Sequence, residues 1–545
     1  MKTRVFIFNN ASRAANYGIG TYVRQLSDGL VTMTDVEVSF VEMFADTKEF
    51  NVTTDEQGKL HYRIPSLSSG MESEAYCRSI FYFIARNIET ADADSLVFQF
   101  NYFQHRPLAA LLKGQYPYSR IILTVHYLNW CFELKGNVSH MRKIVAKEHE
   151  ASDDMEHRVK SSFTDEKALL YLADEVIALS RATKEILIKD YEVSADKIHL
   201  VYNGIGNCAC SKKSSHDCRK DVRRNILYVG RLDEIKGVKY LISAFEKIIG
   251  KYPDTHLVIA GDGDFQPYLV QCRTMQGHTS FLGKMQSDEV DEVYQSAYIG
   301  VIPSFHEQCS YTAIEMMRHG IPIIGTDSTG LAEMLDATPQ LRVHIDEENF
   351  SEEGFVSQIA SRMDLLLSDT DAYRKASDMV SRLYENRYQI SFMTNGTQQV
   401  VLSSFERKDY TVSPDYFKCL DSRMMQLINQ RPDIDAEFFG LSGIGIYMWW
   451  RTESLMGKPE EEFQQALLQE YLIYYLDWLG DVAALCPLPV EMVATLTDMH
   501  DKGFYKTKVK EILRGHLSHM DIQEVMMPSE NAIISNSLKI CNCKI

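Results

Sequence analysis

The sequence predicts an α/β protein of two Rossmann-like domains that face a cleft, followed by an all-helical extension. Short apolar runs alternate with longer segments of helical period, and this series occurs twice. Most of the runs are continuously apolar, which is typical of parallel strands covered by helices on both faces. The length of 545 residues also exceeds what one hydrophobic core normally holds.

Each series contains six candidate strands. The first series comprises residues 4–8, 37–44, 95–101, 120–126, 175–180 and 198–202. The second comprises residues 225–230, 256–260, 279–282, 299–303, 321–326 and 342–345. Ligands of such sheets bind beyond the carboxyl ends of the strands, so we expect the functional site in the cleft between the domains.

Changes in composition along the chain indicate the domain boundaries. Residues 1–205 form the first Rossmann-like domain, and residues 222–390 form the second. The segment 203–224 is polar, charged and without period, so it is interpreted as a linker. Residues 391–409 are expected to form a helix that crosses back to the first domain. Residues 410–545 form the helical extension, whose aromatic clusters favour a core or a docking face for a protein partner.

Composition and charge exclude several functional classes. The net charge is 57 − 75 = −18, which disfavours binding to nucleic acid or to an anionic membrane surface. The 11 cysteines are odd in number and scattered, as expected for reduced thiols in a cytosol. The sequence contains no apolar stretch long enough for a membrane span, and its first apolar run is too short for a signal peptide. We therefore expect a cytoplasmic protein.

The first strand of the second series ends in a loop that carries two cations. The loop reads GRLDEIKG, with Gly230, Arg231 and Lys236. Glycine allows a ligand to approach the backbone, while a guanidinium fork and an ammonium group suit a diphosphate. The alternative is a solvated loop in which Lys236 pairs with Asp233 or Glu234.

Glycine turns follow two other strands of this series. Gly261 and Gly263 form a Gly-x-Gly turn, which exposes backbone amides to a ligand but also commonly just ends a strand. Gly330 lies in another strand-turn-helix segment. On its own, that segment is better explained by a Ser/Thr N-cap.

A third loop combines two glutamates with the start of a helix. Ser310, Tyr311 and Thr312 begin this helix, whose free amides and dipole attract anions. Glu307 and Glu315 stand eight residues apart, and a carboxylate can accept two hydrogen bonds from the diol of a sugar or ribose. Alternatively, Thr312 and Glu315 form a capping box, which would reduce Glu315 to a structural role.

Taken together and in order, these motifs resemble glycosyltransferase family 4, which has the two-Rossmann architecture called GT-B. The motifs are GRLDEIKG, VIAGDGDF, FLGK, PSFHEQCSYTAIEMMRHGIPIIGTD and STGLAEML. The resemblance covers roughly residues 1–405. It implies a retaining, metal-independent and hexosyltransferase-type enzyme that uses a nucleoside diphosphate sugar as donor and needs no cofactor.

The resemblance also implies roles for individual residues. Arg231 and Lys236 would bind the diphosphate and stabilise the charge that develops on it as it leaves. Glu307, the first glutamate of the E-x7-E motif, would face the donor sugar, and Glu315 would hold the ribose. The amides at Ser310–Thr312 would bind the diphosphate, with Gly230, Gly261, Gly263 and Gly330 in the supporting loops. Lys284 and Met285 lie where the family lines the nucleobase pocket.

In the first domain, the resemblance singles out a glycine-rich loop and a histidine. Gly18 and Gly20 belong to the loop. Where the family has two consecutive glycines, this sequence has Tyr17 followed by Gly18. His126 ends a buried strand and matches a histidine beside the reacting sugar. In the second domain, the glycine pair before the fourth helix is likewise replaced by Thr329-Gly330.

The residues leave the acceptor open. The start NYGIGTYVRQL, the segment FQFNYFQHRP and the helical extension resemble glycosyltransferases encoded beside radical-enzyme peptide maturation systems, which implies a peptide acceptor. A glycan or a small molecule stays equally open. A catalytically silent scaffold that binds a partner through the extension, or another sugar-nucleotide enzyme such as an epimerase, would fit the same fold.

One cysteine-rich segment has the residue types of a zinc site. Cys208, Cys210, His216 and Cys218 form C-x-C-x5-H-x-C, a spacing unlike that of standard zinc fingers or ribbons. We therefore expect a thiol-bearing loop and no metal.

Overall fold

A computed structural model describes residues 2–11, 18–56, 58–66, 95–116, 119–146, 153–207 and 224–403, together with parts of 76–88, 476–519 and 540–541. The chain divides into two compact units. The first contains residues 1–69, 90–103 and 120–405, and the second contains residues 70–89, 104–119 and 406–545.

Two sheets form the framework of the first unit. The first sheet has eight strands in the order β3-β4-β2-β1-β5-β6-β7-β8. Its strands are β1 (Thr3–Asn10), β2 (Val36–Ala45), β3 (Asn51–Thr54), β4 (Leu60–Pro65), β5 (Ser95–Phe100), β6 (Arg120–Val125), β7 (Glu175–Ala178) and β8 (Ile198–Leu200). The strands are parallel except β3, which pairs antiparallel with β4 at the edge.

The second sheet has six parallel strands in the order β11-β10-β9-β12-β13-β14. They are β9 (Arg224–Val229), β10 (Thr255–Ala260), β11 (Thr279–Gly283), β12 (Ala297–Ile302), β13 (Ile323–Thr326) and β14 (Arg342–Val343). The prediction of two parallel α/β domains is therefore confirmed. The sequence reading missed β3 and β4, because the exposed, polar β3 lacks the apolar run on which the other predictions depend.

Helices connect the strands and cover the sheets. In the described part of the first unit they are α1 (Gly18–Val31), α3 (Trp130–Leu134), α4 (Val138–Val145), α5 (Asp154–Leu172), α6 (Arg181–Lys189), α7 (Val238–Ile249), α8 (Gln266–Gln271), α9 (Ser287–Ser296), α10 (Tyr311–Arg318), α11 (Thr329–Met334), α12 (Glu352–Ser368), α13 (Thr370–Leu383) and α14 (Ile390–Leu402). One π-turn, Tyr384–Tyr388, joins α13 to the start of α14.

The last helix of the first unit packs against the first sheet and its helices. The Gln398 amide donates to the carbonyl oxygen of Gly29 in α1 at 2.9 Å. The Arg120 guanidinium at the start of β6 donates to the carbonyl oxygens of Val400 and Val401, each at 2.7 Å. Within this unit, α14 therefore contacts α1 and β6.

The second unit is helical where it is described. It contains α2 (Arg106–Gln115), α15 (Val490–Asp501) and α16 (Lys506–Leu517). The imidazole of His516 in α16 accepts a hydrogen bond from the Leu488 amide at 2.9 Å. This agrees with the predicted helical C-terminal region, most of which lies outside the described residues.

Three further findings bear on the earlier expectations. Among the described residues, no helix is long and apolar enough to cross a membrane. The same residues contain no cluster of three or more metal-ligating side chains. The segment with Cys208, Cys210, His216 and Cys218 lies outside the described residues, so its predicted lack of metal stays a prediction.

Candidate active site

The loop after β9 places its two cations beside carboxylates. The Arg231 guanidinium pairs with Asp233 at 2.7 Å, and both side chains are about one third exposed. The Lys236 ammonium pairs with Glu307 of the β12–α10 loop at 2.6 Å. The alternative pairing of Lys236 with Asp233 or Glu234 is therefore not found: Asp233 binds Arg231, and Glu234 binds Lys135 at 3.0 Å. Two loops predicted to share a ligand thus meet through Lys236 and Glu307.

A buried tyrosine lies among these charged groups. The Tyr228 hydroxyl donates to the carbonyl oxygen of Arg231 at 2.5 Å. Burial raises the pKa of Tyr228 well above its usual value, and the charges of Glu307 and Asp233 add to this rise. The phenol therefore stays protonated and continues to donate, which fixes the backbone of the cationic loop.

The glycines of the β9 and β10 loops allow close packing of two backbone turns. Gly261 has φ +146°, and a Cβ atom there would lie 1.7 Å from the carbonyl oxygen of Gly230. Gly263 has φ +150°, and its Cβ would lie 2.6 Å from Leu232. The Gly261 amide itself donates to the carbonyl oxygen of Gly283 at 2.8 Å, and a ligand contact at this turn stays a prediction.

The start of α11 supports the loop that carries Glu307. The Gly330 amide and the Thr329 hydroxyl both donate to the carbonyl oxygen of Glu307, at 2.8 and 2.5 Å. A Cβ atom at Gly330 would lie 1.6 Å from the carbonyl oxygen of Gln308. The N-cap interpretation of this segment also fails, since the Ser328 side chain does not cap α11. Gly330 is needed because the two loops touch.

The capping-box alternative for Glu315 is wrong. The N-cap of α10 is Ser310, whose hydroxyl accepts from the Ala313 amide at 3.4 Å, and Thr312 lies inside the helix. Glu315 instead accepts from the Tyr294 hydroxyl at 2.7 Å. Burial raises the pKa of Glu315, and the hydrogen bond from Tyr294 opposes that rise. Glu315 is therefore held by a neighbouring helix and is not used to cap its own.

In the first domain, His126 is held by residues from two neighbouring elements. Its Nε2 atom lies 3.0 Å from the Oδ1 atom of Asn101, whose amide nitrogen donates to the carbonyl oxygen of Phe8 at 3.1 Å. Burial lowers the pKa of His126 to about 3, so the imidazole is neutral at physiological pH. Because Asn101 offers its oxygen, Nε2 carries the proton and Nδ1 keeps a lone pair.

Tyr22 of α1 completes this arrangement. Its ring stands edge-on to the His126 imidazole, with 4.6 Å between the ring centroids. Its hydroxyl lies 2.9 Å from the Thr124 hydroxyl, which also accepts from the Gln99 amide at 2.8 Å. The end of β6 is thereby tied to α1 and β5, and His126 has a fixed orientation.

The glycine-rich loop of the first domain ends against the second domain. Gly18 is the first residue of α1, and a Cβ atom there would lie 3.8 Å from the Tyr311 ring at the start of α10. Gly20 lies in the first turn of α1. Tyr17 lies outside the described residues. The starts of the helices carrying Gly18 and Glu315 thus face each other within the first unit.

Lys284 and Met285 follow β11, at the outer end of the second sheet next to β10. The Lys284 side chain is exposed and that of Met285 is half-buried. Their position is therefore beyond the Gly261 turn, on the opposite side of β9 from the Glu307 loop. Their nucleobase contact stays a prediction.

Sequence reasoning missed the partners that hold the predicted residues. Asn101 and Tyr22 fix His126, Tyr294 fixes Glu315, and Gln308 reaches from the second domain to the first. These contacts join residues far apart in sequence. The one available signal was the position of Asn101 directly after a buried strand that neighbours β6.

A cavity of about 790 Å³ lies on another part of the cleft. Its lining includes Gly136, Tyr240, Phe305, Thr329 and Phe350. It thus shares Phe305 and Thr329 with the loops around Glu307, but neither cation predicted to bind the diphosphate lines it. We therefore place the candidate active site at the Lys236–Glu307 pair and treat the cavity as adjacent to it.

Two family models match the chain. The model described as Glycosyltransferase Family 4 matches residues 17–206, and the model described as Glycosyl transferases group 1 matches residues 223–368. The two matches fall on the first and second sheets, respectively. They contain the residues predicted for the site.

Curated relatives match parts of the chain. An uncharacterized glycosyltransferase from Methanocaldococcus jannaschii is 33% identical over 30% of this chain and 45% of its own length. A D-inositol 3-phosphate glycosyltransferase from Corynebacterium kroppenstedtii is 23% identical over 31% of this chain and 42% of its own length. The chain thus spans about half the length of the curated relatives it matches.

Solved structures share the fold over more of the chain. Sucrose-phosphate synthase from Thermosynechococcus elongatus matches with a TM-score of 0.56 and 19% identity, over 73% of this chain and 98% of that protein. WaaG, a glycosyltransferase involved in lipopolysaccharide biosynthesis, matches with a TM-score of 0.52 and 14% identity, over 74% of this chain and 100% of that protein.

The two sheets, the loops at their carboxyl ends and these likenesses define a protein with the GT-B fold. The two family models, which match most of the first sheet and all of the second, support a family 4-like glycosyltransferase. The resemblance stated from the motifs is thereby confirmed at the level of the family.

Proposed function

We propose that this chain is a retaining glycosyltransferase that uses a nucleoside diphosphate sugar as donor. The observation that carries the proposal is the contact between Lys236 and Glu307, which joins the loops after two adjacent central strands, β9 and β12. One loop supplies cations suited to a diphosphate, and the other supplies a carboxylate suited to sugar hydroxyls.

In the proposed reaction, the bond between the anomeric carbon and the β-phosphate oxygen breaks. The acceptor oxygen forms the new bond to that carbon from the same face, and its proton passes to the departing phosphate oxygen. Arg231 and Lys236 stabilise the negative charge that grows on the leaving diphosphate, with help from the amides at the start of α10. Neither step requires a metal ion, a cofactor or a protein nucleophile.

The carboxylates and the histidine bind and orient the donor. Glu307 accepts hydrogen bonds from the donor sugar and Glu315 from the ribose diol. The raised pKa of Glu315 reflects its burial, and the Tyr294 hydroxyl favours the ionised form that accepts from a diol. The neutral His126, with its proton fixed on Nε2, offers the Nδ1 lone pair to a hydroxyl of the sugar or the acceptor.

A donor panel tests this proposal. The full chain is incubated with UDP-, GDP- and ADP-glucose and with the corresponding galactose and N-acetylglucosamine donors, each with and without EDTA. We expect one nucleoside diphosphate to be released, at a rate that EDTA does not change. We expect Glu307→Ala to abolish this release. The same nucleoside diphosphate should raise the apparent thermal stability of the wild-type chain.

Two other outcomes would replace the proposal. If no donor is turned over and Glu307→Ala leaves nucleotide binding intact, the chain is a scaffold with a glycosyltransferase fold. If labelled sugar is converted to an isomer and stays on the nucleotide, the chain is an epimerase. For an active transferase, the anomeric configuration of a labelled product, read by NMR against peptide, glycan and small-molecule acceptors, tests retention and identifies the acceptor class.

A further inference from the structure

The start of α6 in the first domain is a buried docking point for the second domain. The Oγ atom of Ser180 caps this helix by accepting from the Thr183 amide at 3.1 Å. The Oε1 atom of Gln308, from the β12–α10 loop, accepts from the Thr183 hydroxyl and from Ser180 at 3.5 Å. Ser180 and Thr183 are fully buried, and Gln308 is 6% exposed. This is therefore a polar contact between the two domains that excludes water.

A second residue of the nucleotide-binding domain binds the same helix start. The Glu333 carboxylate of α11 accepts from the backbone amide of Arg181 with both oxygens, at 3.1 and 3.0 Å. A carboxylate at the first amide of a helix is favoured by the helix dipole. The β12–α10 loop and helix α11 are thus both held by the first turn of α6.

These contacts bear directly on the position of Glu307. Gln308 is the next residue in the chain. Thr329 and Gly330, at the start of α11, donate to the carbonyl oxygen of Glu307. Gln308 and the carbonyl group of Glu307 are thereby both fixed, because the β12–α10 loop and α11 are bound to the start of α6. The carboxylate of Glu307 in turn binds Lys236 at 2.6 Å.

We propose that Gln308 is a positioning residue that couples the seating of the two domains at Ser180–Thr183 to the geometry of the Lys236–Glu307 pair. Inside this buried interface the amide oxygen of Gln308 needs hydrogen-bond donors, so the domains pack in the arrangement that places Ser180 and Thr183 against it. In that arrangement the Glu307 loop is held rigid. The effect on catalysis rests on the proposed function, whereas the coupling itself is a property of the fold.

The coupling can be tested from the side of the first domain. Thr183→Val removes the hydroxyl that Gln308 accepts from and touches no residue of the proposed donor site, and Thr183→Ser keeps that hydroxyl. Thr164→Val is the matched control, since Thr164 lies exposed on α5 of the same domain and bonds only within its own helix, to the Lys160 carbonyl at 2.9 Å. Each full-length variant is compared with Gln308→Ala and with the double variant Thr183→Val/Gln308→Ala.

Hydrogen exchange provides a measurement that does not depend on turnover. In Thr183→Val we expect amides of peptides spanning residues 304–313, in the other domain, to exchange roughly threefold to tenfold faster, the range that corresponds to loss of one hydrogen bond. Thr183→Ser and Thr164→Val should leave these rates unchanged. Unchanged exchange in Thr183→Val would overturn the proposal, even for a wild-type protein with no transferase activity.

Kinetics with the donor found in the panel test the catalytic consequence. We expect Thr183→Val and Gln308→Ala each to lower kcat roughly threefold to tenfold with little change in KM for the donor or in calorimetric affinity for its nucleoside diphosphate. The double variant should be no slower than the slower single variant, because both remove one contact. Multiplying effects, or a loss of nucleotide affinity as large as the loss of kcat, would refute the positioning role.

Discussion

Replacing Lys236 by methionine tests the central electrostatic claim. The Lys236 side chain is 19% exposed and its partner Glu307 is 13% exposed, so both charges interact in surroundings largely shielded from water. Removing one preorganised group that stabilises charge developing in the transition state raises the activation free energy by about 2.7–4 kcal/mol. We therefore expect Lys236→Met to lower kcat roughly a hundredfold to a thousandfold.

The same helix region provides a matched control. Lys239 lies in the first turn of α7, is 52% exposed and pairs with Glu352 at 2.8 Å. Lys239→Met removes the same charge only three residues away, but an exposed ion pair contributes at most about 1 kcal/mol. We expect the activity of Lys239→Met to stay within about twofold of wild type, since α7 keeps its fold and the loop after β9 is unchanged.

The assay is release of nucleoside diphosphate from the donor found in the panel, with kcat and KM measured separately. Thermal unfolding of both variants is measured in parallel, because Lys236→Met leaves Glu307 without its cation and lowers stability as well. The reasoning is refuted if Lys236→Met keeps more than one tenth of the activity of Lys239→Met while both proteins are folded.

Three further variants test packing, titration and nucleotide recognition. Gly261→Ala should destabilise the chain by roughly 2 kcal/mol or more in urea unfolding, because its Cβ would lie 1.7 Å from the Gly230 carbonyl oxygen, whereas Gly250→Ala, with open space around it, should change stability by less than about 1 kcal/mol. Burial raises the pKa of Glu166 from 4.5 to about 8, so between those values the folded state binds more protons than the unfolded state, and its unfolding free energy falls as pH rises. Glu166→Gln should remove this fall, which we estimate at up to ~1.4 kcal/mol per pH unit, when urea unfolding is compared at pH 5.5 and pH 7.5. Glu315→Gln should weaken binding of the nucleoside diphosphate roughly tenfold to a hundredfold in calorimetry while leaving kcat at saturating donor less affected; unchanged affinity would remove Glu315 from the ribose site.

The sequence was sufficient to predict the sheets because burial on both faces leaves a strong local signal. Strand β6 is buried at every position and β12 at all but one, and both are rich in aliphatic residues. Their order along the chain, with helical segments between them, implies parallel pairing and places the loops at one edge. The β3–β4 pair was missed because an exposed edge strand needs no apolar run.

The physical surroundings of the predicted site residues could not be predicted from the sequence. Glu315 was open to interpretation as a capping residue, since its spacing from Thr312 fits that motif. The true partner, Tyr294, belongs to the preceding helix and lies 21 residues away in the sequence. The turn at Gly261 and Gly263 was expected to expose amides to a ligand, and the structure shows a further reason for Gly261, the close approach of Gly230. Only the tertiary structure distinguishes a glycine that contacts a ligand from one that contacts another turn.

The pairing of both cations with carboxylates bears on how an acidic chain would bind the diphosphate in the proposed site. Arg231 with Asp233 and Lys236 with Glu307 are each locally neutral, so attraction of the donor cannot depend on a large positive field. In the proposed site, binding depends instead on cationic side chains that are already held in place. A paired cation has already lost the side-chain entropy that binding would otherwise cost. Glu307 consequently has two roles in the proposed site, one toward the sugar and one toward the position of Lys236. The contacts that fix the Glu307 loop on α6 then influence the cation as well as the carboxylate, which is why a substitution in the first domain should alter catalysis in the second.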